Sequence, residues 1–491
     1  MSTRAPDPGI LSLLRDRIDA APRACTYAEA RFVGRRFEQV RVRNGEADAV
    51  DTGDSEGVGV RVRAEGRWGF AATREVTAAA IEEALDHALQ IARAGPASPR
   101  AAEPLAPPSA EPSRGHWGSA CELDPFTVSV EEKLALLLGA EEILRTDRRI
   151  SRGSAESHAM RETWALATTD GVACTQVRTE CGGGLQALAT DGELIQTRSY
   201  PAAHGGDVAL AGWEHVLGLD LLGAAGRVRD EALELLTAPP CPSGRRTVIL
   251  GGEQMALQVH ESIGHALELD RILLGEAAYA GASWVAPRDI GTLRYGSREL
   301  NITADATLPG ALGSAAWDDE GVPAARTLLI EDGVLRATLA DRTSAAQLGL
   351  PASTGCSRAE GFARQPIVRM TNVSIEPGQA GTLDDLIAAT EDGLLLETNQ
   401  SWSIDDRRLH FQFGCETARE IRGGKLGRLY RDPSYAGITP MFWAGLDAVC
   451  SAPAWRVWGV MNCGKGEPGQ MLPVGHGTAP ARFTDVEVGV A

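Results

Sequence analysis

Two histidines and a glutamate lie close together in one short stretch of the chain, at His260, Glu261 and His265. Neutral imidazole is the commonest side-chain ligand for a metal, and a carboxylate beside a bound metal can accept a proton from water. The spacing His-Glu-x-x-x-His is one residue longer than the common His-Glu-x-x-His zinc motif. On a regular α-helix, five residues turn the second imidazole about 140° away from the first. We therefore expect a local π-type turn between His260 and His265, of a kind that often occurs at functional sites.

The same segment also has a purely structural interpretation, as a buried helix that carries two histidines. Its apolar residues could form a core face; they are Met255, Val259, Ile263, Leu267 and Leu269. Two observations favour metal binding. The chain has only nine histidines in 491 residues, so two beside a glutamate at ligand spacing are unlikely by chance. The apolar run 247–250 and the pair Gly251–Gly252 predict a strand, a turn and then the helix, which together form a rigid platform.

A catalytic zinc site usually has three protein ligands, and this segment supplies two. The third could be another histidine, a cysteine or one of the carboxylates just downstream, which are Glu268, Asp270 and Glu276. Cys463 differs from the other cysteines because it lies in the glycine-rich loop 462–470, where the backbone can approach a site closely. Lys465 in the same loop could hold a nearby anion. Chemistry alone favours an ordinary buried thiol at Cys463, so the third ligand stays open at this point.

The composition excludes several classes of protein. The formal net charge of −18 would repel a phosphate backbone on average, so direct nucleic-acid binding is not expected. The nine cysteines are scattered without a Cys-x-x-Cys pair, which favours reduced thiols and a cytoplasmic protein. Residues 1–23 carry several charges and lack the apolar core of a signal peptide. No apolar run approaches the roughly 20 residues that span a bilayer, so no membrane association is expected.

Two proline-rich breaks, at 96–112 and 239–242, divide the chain into three blocks. Residues 1–95 and 113–240 each predict strands, hairpin turns and helices, the last helix being expected over 208–236. Residues 243–491 carry the metal-binding helix and then strands and turns. The predicted fold class is α+β, with two N-terminal sheet-plus-helix units and a C-terminal, mainly antiparallel β domain.

Several motifs occur in the order found in one known family. They are His260–His265, Asp318–Pro323, Leu329–Leu335, Arg369–Asn372 with Pro377–Gly378, and Cys463–Lys465 with Pro473–Gly475. On these motifs nearly the whole chain resembles the TldD/PmbA family, which is also labelled as modulators of DNA gyrase and is understood as metallopeptidases. The resemblance implies one zinc ion per chain, held by His260, His265 and Cys463, with Glu261 as the general base. It also implies the TldD-type catalytic subunit, because the partner type lacks the His-Glu-x-x-x-His motif.

Parts of the chain depart from the family pattern and leave the substrate open. The stretch 399–447 has unusual content, including Trp402, His410 and Trp443. His476 stands where the pattern leads us to expect an apolar residue. It is a candidate substrate contact, or an alternative metal ligand to Cys463.

Two classes of function are weighed on this basis. The first is a zinc-dependent peptidase that hydrolyses extended or unfolded peptides in the cytoplasm, with Glu261 passing a proton from water to the leaving amine. A sheet edge beside the metal would take the peptide as an added strand. The second is a non-catalytic regulatory or binding subunit, which the intact motif argues against. The resemblance further implies a dimer, either with a related non-catalytic TldE/PmbA-type subunit or with a second copy.

Overall fold

The computed structural model of the chain describes residues 7–95, 105–274 and 281–490. The first part of the proline-rich break at 96–112 and the candidate ligand Glu276 lie outside the described residues. The described chain consists of a large N-terminal sheet with helices on one face, followed by a C-terminal β-rich domain.

Long antiparallel hairpins build the N-terminal sheet. Its strands are β1 (Tyr27–Arg43), β2 (Glu46–Ala64), β3 (Arg67–Thr73), β4 (Arg114–Gly118), β5 (Ile150–Thr168), β6 (Ala173–Thr190), β7 (Ile195–Tyr200) and β8 (Asp207–Ala209). Their order is β3-β2-β1-β5-β6-β4, and β7 and β8 also pair with β6. Asn44 and Gly45 join β1 to β2 with positive φ angles of 51° and 85°, as a tight hairpin turn requires. Because β1 also pairs with β5, one sheet continues through both predicted N-terminal units.

Helices cover one face of this sheet. They are α1 (Pro8–Asp19), α2 (Ala78–Ala94), α3 (Val130–Leu144), α4 (Trp213–Gly218) and α5 (Leu221–Thr237). The prediction of one helix over 208–236 is wrong in its first part. The edge of β6 pairs with residues 207–209, which therefore form β8. Asp220 then breaks the helix, because it adopts a φ of 49° and caps α5 by accepting a hydrogen bond from the Gly223 N–H.

The C-terminal domain begins with β9 and the site-bearing helix α6. Its helices are α6 (Gly252–Val259), α7 (Leu269–Ile272), α8 (Arg342–Leu348), α9 (Leu383–Ala388) and α10 (Thr439–Ala444). Its strands are β9 (Gly244–Leu250), β10 (Ile302–Asp305), β11 (Arg326–Glu331), β12 (Val334–Leu335), β13 (Ser357–Arg358), β14 (Ile367–Val368), β15 (Val373–Ile375), β16 (Asp392–Ile404), β17 (His410–Arg422), β18 (Lys425–Tyr430), β19 (Pro433–Ile438), β20 (Leu446–Val449), β21 (Arg456–Lys465), β22 (Gln470–Thr478) and β23 (Ala481–Val490). None of the described helices of the chain is long and apolar enough to cross a membrane.

A barrel forms the centre of this domain. Its strand order is β16-β9-β23-β19-β17, and it closes because β16 also pairs with β17. The pair β9–β16 is parallel, whereas the other pairs of the barrel are antiparallel. The predicted α+β class and three-part organisation are confirmed, with a barrel that is mixed and not purely antiparallel. The boundaries near 95, 113 and 240 stay predictions.

Ion pairs join the C-terminal domain to the face of the N-terminal sheet opposite the helices. Arg61 Nη2 lies 2.8 Å from Glu320 Oε1, and Arg31 Nη1 lies 3.1 Å from Asp319 Oδ2. The side chain of Glu320 is completely buried. The motif Asp318–Pro323, on which the family resemblance partly depends, therefore connects the C-terminal domain to the N-terminal sheet. Residues of helix α6 line a cleft between the N-terminal sheet and the C-terminal domain.

Candidate metal centre

The two histidines lie where helix α6 widens into a π-turn. This turn covers His260–Gly264, and its closing bond runs from the backbone N–H of His265 to the carbonyl of His260. The prediction of a π-type turn between these histidines is confirmed. The wider turn places the two rings 4.8 Å apart, centroid to centroid, nearly at right angles. Both imidazoles consequently face one point, although five residues separate them in the sequence.

Side chains from distant segments support the π-turn. Tyr295 donates its hydroxyl to the carbonyl of Ser262 at 2.5 Å, and Trp443 donates its indole N–H to the Ser262 hydroxyl at 2.9 Å. Tyr295 and Trp443 are both completely buried. Gly264 has no room for a side chain, because a Cβ there would lie 1.9 Å from the sulfur of Met370. The turn is therefore packed on several sides by the C-terminal core.

The structure brings Cys463 to the two histidines. The candidate ligand atoms of His260, His265 and Cys463 all lie within 4.8 Å of one another, and all three residues are buried. Cys463 Sγ is 3.5 Å from His265 Nε2. In a tetrahedral zinc site, ligand atoms at the usual zinc–nitrogen and zinc–sulfur distances lie about 3.3–3.6 Å apart. Two imidazoles and one thiolate are a donor set that suits zinc, so the residues fit this metal.

Each histidine has a hydrogen-bond partner on its other ring nitrogen. His265 Nδ1 donates to Glu268 Oε2 at 3.0 Å, which leaves Nε2 as the lone-pair nitrogen beside Cys463. His476 Nδ1 lies 2.6 Å from the Val373 carbonyl and must donate to it. His476 Nε2 therefore accepts from His260 Nδ1 at 2.8 Å, so that His260 also offers its Nε2. Such partners fix the tautomer and orientation of metal-binding histidines.

His476 thus lies behind His260 and outside the group of three candidate ligands. Burial lowers the pKa of His476 well below its ordinary value, and burial likewise lowers the pKa of His260 and of His265. All three rings are therefore neutral at neutral pH. Neutral imidazole is the form that binds metals.

Of the carboxylates that were candidates for the third ligand, Glu268 and Asp270 lie in the described residues, and Glu268 lies behind His265. Glu268 Oε2 accepts from Arg271 Nε at 2.6 Å and lies 3.4 Å from Lys465 Nζ. Lys465 Nζ also bonds both carboxylate oxygens of Asp270 at 2.8 Å. Burial would raise the pKa of Glu268, but Lys465 and Arg271 hold it well below the ordinary range. The anions that Lys465 holds are thus the two described carboxylates themselves.

An irregular hairpin, formed by β21 and β22, places Cys463 beside the two histidines. The register between β21 and β22 shifts between Val460 and Cys463, and such bulges change the direction of side chains. The buried Arg369 donates to the backbone carbonyls of Cys463 and Gln470 and holds the two strands in place. Burial would raise the pKa of the Cys463 thiol, but His265 and Arg369 outweigh it and bring the pKa to about 7. A thiol of this kind is readily available as the thiolate that binds metals.

Glu261 faces the cleft between the N-terminal sheet and the C-terminal domain. The cleft has a volume of ≈ 230 Å³, and residues from both layers line it, among them Gln39, Glu156, His204, Glu253, His260, Glu261, Asn399, Trp402 and Trp458. The Glu261 side chain is only 9% exposed, and its Oε2 accepts from Arg408 Nη1 at 2.7 Å. The carboxylate is therefore next to the candidate metal ligands and also in contact with the space where a substrate would lie.

The unusual residues of 399–447 have separate roles. Trp402 is 42% exposed on the cleft, whereas Trp443 is buried beneath the π-turn and His410 pairs with Asp405 at the surface. Sequence reasoning missed Arg408 and Tyr295, because their contacts with the site join residues 147 and 33 positions apart. The role of Arg369 had only an indirect signal, namely its place in the motif 369–372.

Known proteins are similar to this chain in sequence and in fold. Three models match in order: PmbA/TldA metallopeptidase domain 1 at residues 28–92, the central domain at 123–237 and the C-terminal domain at 243–489. A metalloprotease of Methanocaldococcus jannaschii is 28% identical over 92% of this chain and 94% of that protein. A metalloprotease of Synechocystis sp. is 30% identical over 94% of this chain and 95% of that protein. The solved structure of TldE from Thermococcus kodakarensis aligns with a TM-score of 0.74 at 17% identity, over 97% of this chain and 100% of that chain. The chain therefore belongs to the PmbA/TldD family of metallopeptidases.

Proposed function

We propose that this protein is a zinc-dependent peptidase that cleaves extended or unfolded peptides. The observation that carries the proposal is the convergence of His260, His265 and Cys463, whose candidate ligand atoms all lie within 4.8 Å of one another. The Nδ1 of each imidazole is hydrogen-bonded to a partner, which leaves the Nε2 of each ring to bind a metal. We propose that these three residues hold one zinc ion per chain. Zinc supplies, when bound, a Lewis acid that polarises the peptide carbonyl and lowers the pKa of water.

In this proposal Glu261 is the general base. It follows His260 directly in the chain and lines the cleft that a peptide would enter. Its carboxylate would accept a proton from the attacking water and then pass this proton to the leaving amine. The cleft is partly apolar because Trp402, Trp458 and Leu257 line it, so a bound peptide would exclude bulk water from Glu261.

The edge of β16 supports binding of an extended peptide. β16 pairs with β9 only over 394–396, and its remaining residues up to Ile404 pair on one side alone, with β17, in the described part of the chain. Asn399 and Trp402 of this segment line the cleft. An added peptide strand would use main-chain hydrogen bonds, which give affinity with little side-chain selectivity. A folded protein cannot present such a strand, so we propose that native proteins resist cleavage.

We further propose that the protein works in the cytoplasm as a dimer, with a related non-catalytic TldE/PmbA-type subunit or with a second copy. The shared fold with TldE from T. kodakarensis supports a partner of the same architecture. All nine cysteines lie in the described residues as free thiols, which supports a reducing compartment. Peptides are the proposed substrates. The net charge of −18 would repel a phosphate backbone, so we propose no direct binding of nucleic acid.

The test compares the wild type with Glu261→Gln. Zinc content is measured by mass spectrometry, and turnover is measured on an unstructured fluorogenic peptide with and without a chelator. Glutamine keeps the shape of the side chain but cannot accept a proton, so we expect full zinc content and a kcat lower by about 10²–10⁴-fold or more. Near-normal turnover in this variant would show that Glu261 is only structural. A wild type that lacks metal and leaves the peptide intact would indicate a binding or regulatory subunit instead.

A further inference from the structure

Arg408 forms the buried ion pair with Glu261. The distance from Arg408 Nη1 to Glu261 Oε2 is 2.7 Å, and the two side chains are only 12% and 9% exposed. Arg408 belongs to the loop between β16 and β17, far along the chain from the metal-binding helix. A guanidinium keeps its charge at every pH at which a protein is folded. One oxygen of the general base in the proposed reaction is therefore in direct contact with a guanidinium group.

The backbone of this loop adopts a disfavoured conformation to present Arg408. The φ of Arg408 is 62°, in the left-handed region that residues with a Cβ rarely enter. Hydrogen bonds on both sides hold it there: Arg408 N donates to the Asp405 carbonyl at 2.9 Å, and Thr439 Oγ1 donates to the Arg408 carbonyl at 2.8 Å. The next residue, Leu409, donates its N–H to Asp405 Oδ1 at 2.8 Å. Strained backbone that surrounding contacts enforce is found preferentially at functional sites.

We propose that Arg408 is a positioning residue for the peptidase reaction: its contact with Oε2 orients Glu261 for the attacking water. This inference rests on the proposed function. Because Arg408 binds Oε2, the other oxygen of Glu261 is the one that takes the proton. The water oxygen forms a bond to the carbonyl carbon, and the carbon–nitrogen bond then breaks with its electron pair left on nitrogen. The leaving nitrogen accepts the proton from Glu261. Glu261 is then a carboxylate again and still pairs with Arg408.

A positioning role predicts a specific kinetic pattern. Arg408 acts on Glu261, so Arg408→Gln should lower kcat by about 10–100-fold, the usual effect of losing a partner that orients a group at a metal site. KM should stay near the wild-type value, since Arg408 contacts the base in this scheme and not the peptide. Arg408→Lys should recover part of the rate, because it restores the charge without the fixed geometry of a guanidinium. The matched control is Arg407→Gln, which changes the exposed neighbouring side chain and should keep both kcat and KM.

The decisive experiment is a double-mutant cycle on the zinc-loaded full chain with the fluorogenic peptide. In the Glu261→Gln background, Arg408→Gln should cause no further loss of kcat, because residues that act as a unit are not additive. Zinc content and melting temperature are measured for every variant, and Arg408→Lys serves as the readout if Arg408→Gln fails to fold. Equal losses in both backgrounds, a change in KM alone, or wild-type kcat in Arg408→Gln and Arg408→Lys would overturn the inference. An inert wild type would overturn the proposed function itself, and this inference with it.

Discussion

Replacing Glu268 by glutamine should weaken both the fold and the metal site. Glu268 is completely buried behind His265, and its Oε2 lies 3.0 Å from His265 Nδ1 and 2.6 Å from Arg271 Nε. Lys465 Nζ is 3.4 Å from the same oxygen, and both basic side chains are completely buried. Glutamine retains an oxygen that can accept from His265 but loses the negative charge. The variant therefore leaves two buried cations with Asp270 as their remaining described acidic partner.

The distances set the size of the effect. At an effective dielectric constant of about 20, the Coulomb attraction of Glu268 is roughly 6 kcal/mol to Arg271 and roughly 5 kcal/mol to Lys465 at these separations. Desolvation of the buried carboxylate offsets much of this gain, and breaking a buried ion pair from one side costs a net amount of about 3–5 kcal/mol. The carboxylate also increases the basicity of His265, and losing such a partner weakens metal binding by about 10–100-fold.

The assay separates these two effects by using a matched control. Glu320→Gln removes another completely buried carboxylate, which lies 2.8 Å from Arg61 in the interface between the N-terminal sheet and the C-terminal domain. Melting temperatures of the metal-free proteins should fall in both variants. Zinc affinity, measured by competition with a chromophoric chelator, should fall only in Glu268→Gln. The rise in melting temperature on adding zinc should be correspondingly smaller for Glu268→Gln than for Glu320→Gln, by mass action.

Two results would refute this reasoning. Wild-type zinc affinity in Glu268→Gln would mean that the carboxylate does not orient or activate His265. An equal loss of affinity in Glu320→Gln would mean that zinc binding only follows the overall stability of the fold. A double variant of Glu268 and Glu320 should show additive losses of stability, because the two carboxylates share no ion-pair partner in the described residues.

Three further substitutions test the metal centre. Cys463→Ala should leave a folded protein with sharply reduced zinc content by mass spectrometry, and full zinc retention would reject Cys463 as a ligand. Gly264→Ala places a Cβ 1.9 Å from the sulfur of Met370, so we expect a loss of about 1–3 kcal/mol in the free energy of unfolding; unchanged urea unfolding would show that the packing yields easily. His476→Phe removes the acceptor of His260 Nδ1, and chelator competition should show zinc affinity about 10–100-fold weaker, whereas wild-type affinity would mean that His260 needs no such partner.

Local rules explain what could be predicted. The π-turn was predictable because five residues on a regular helix place two side chains on different faces, and His260 and His265 share a site only if the helix widens. The hairpin at Asn44–Gly45 was predictable because both residues tolerate positive φ. The helix expected over 208–236 was wrong at its start because the edge of β6 recruits residues 207–209. Sequence periodicity carries no information about which edge of a distant strand is free.

The sequence by itself determined the donor chemistry of the helix, the fold class and, through several ordered motifs, the family. Each of these follows from residue types and spacings within short segments. Residue chemistry left the third ligand open and the family resemblance indicated Cys463, but only the tertiary structure brings Cys463 to the two histidines. Cys463 lies 198 residues from His265, and a hairpin bulge brings it there. The fold also placed Glu268 and His476 behind the candidate ligands and Arg408 against Glu261. Those assignments depend on how strands far apart in the chain pack around one helix, and no local spacing encodes that packing.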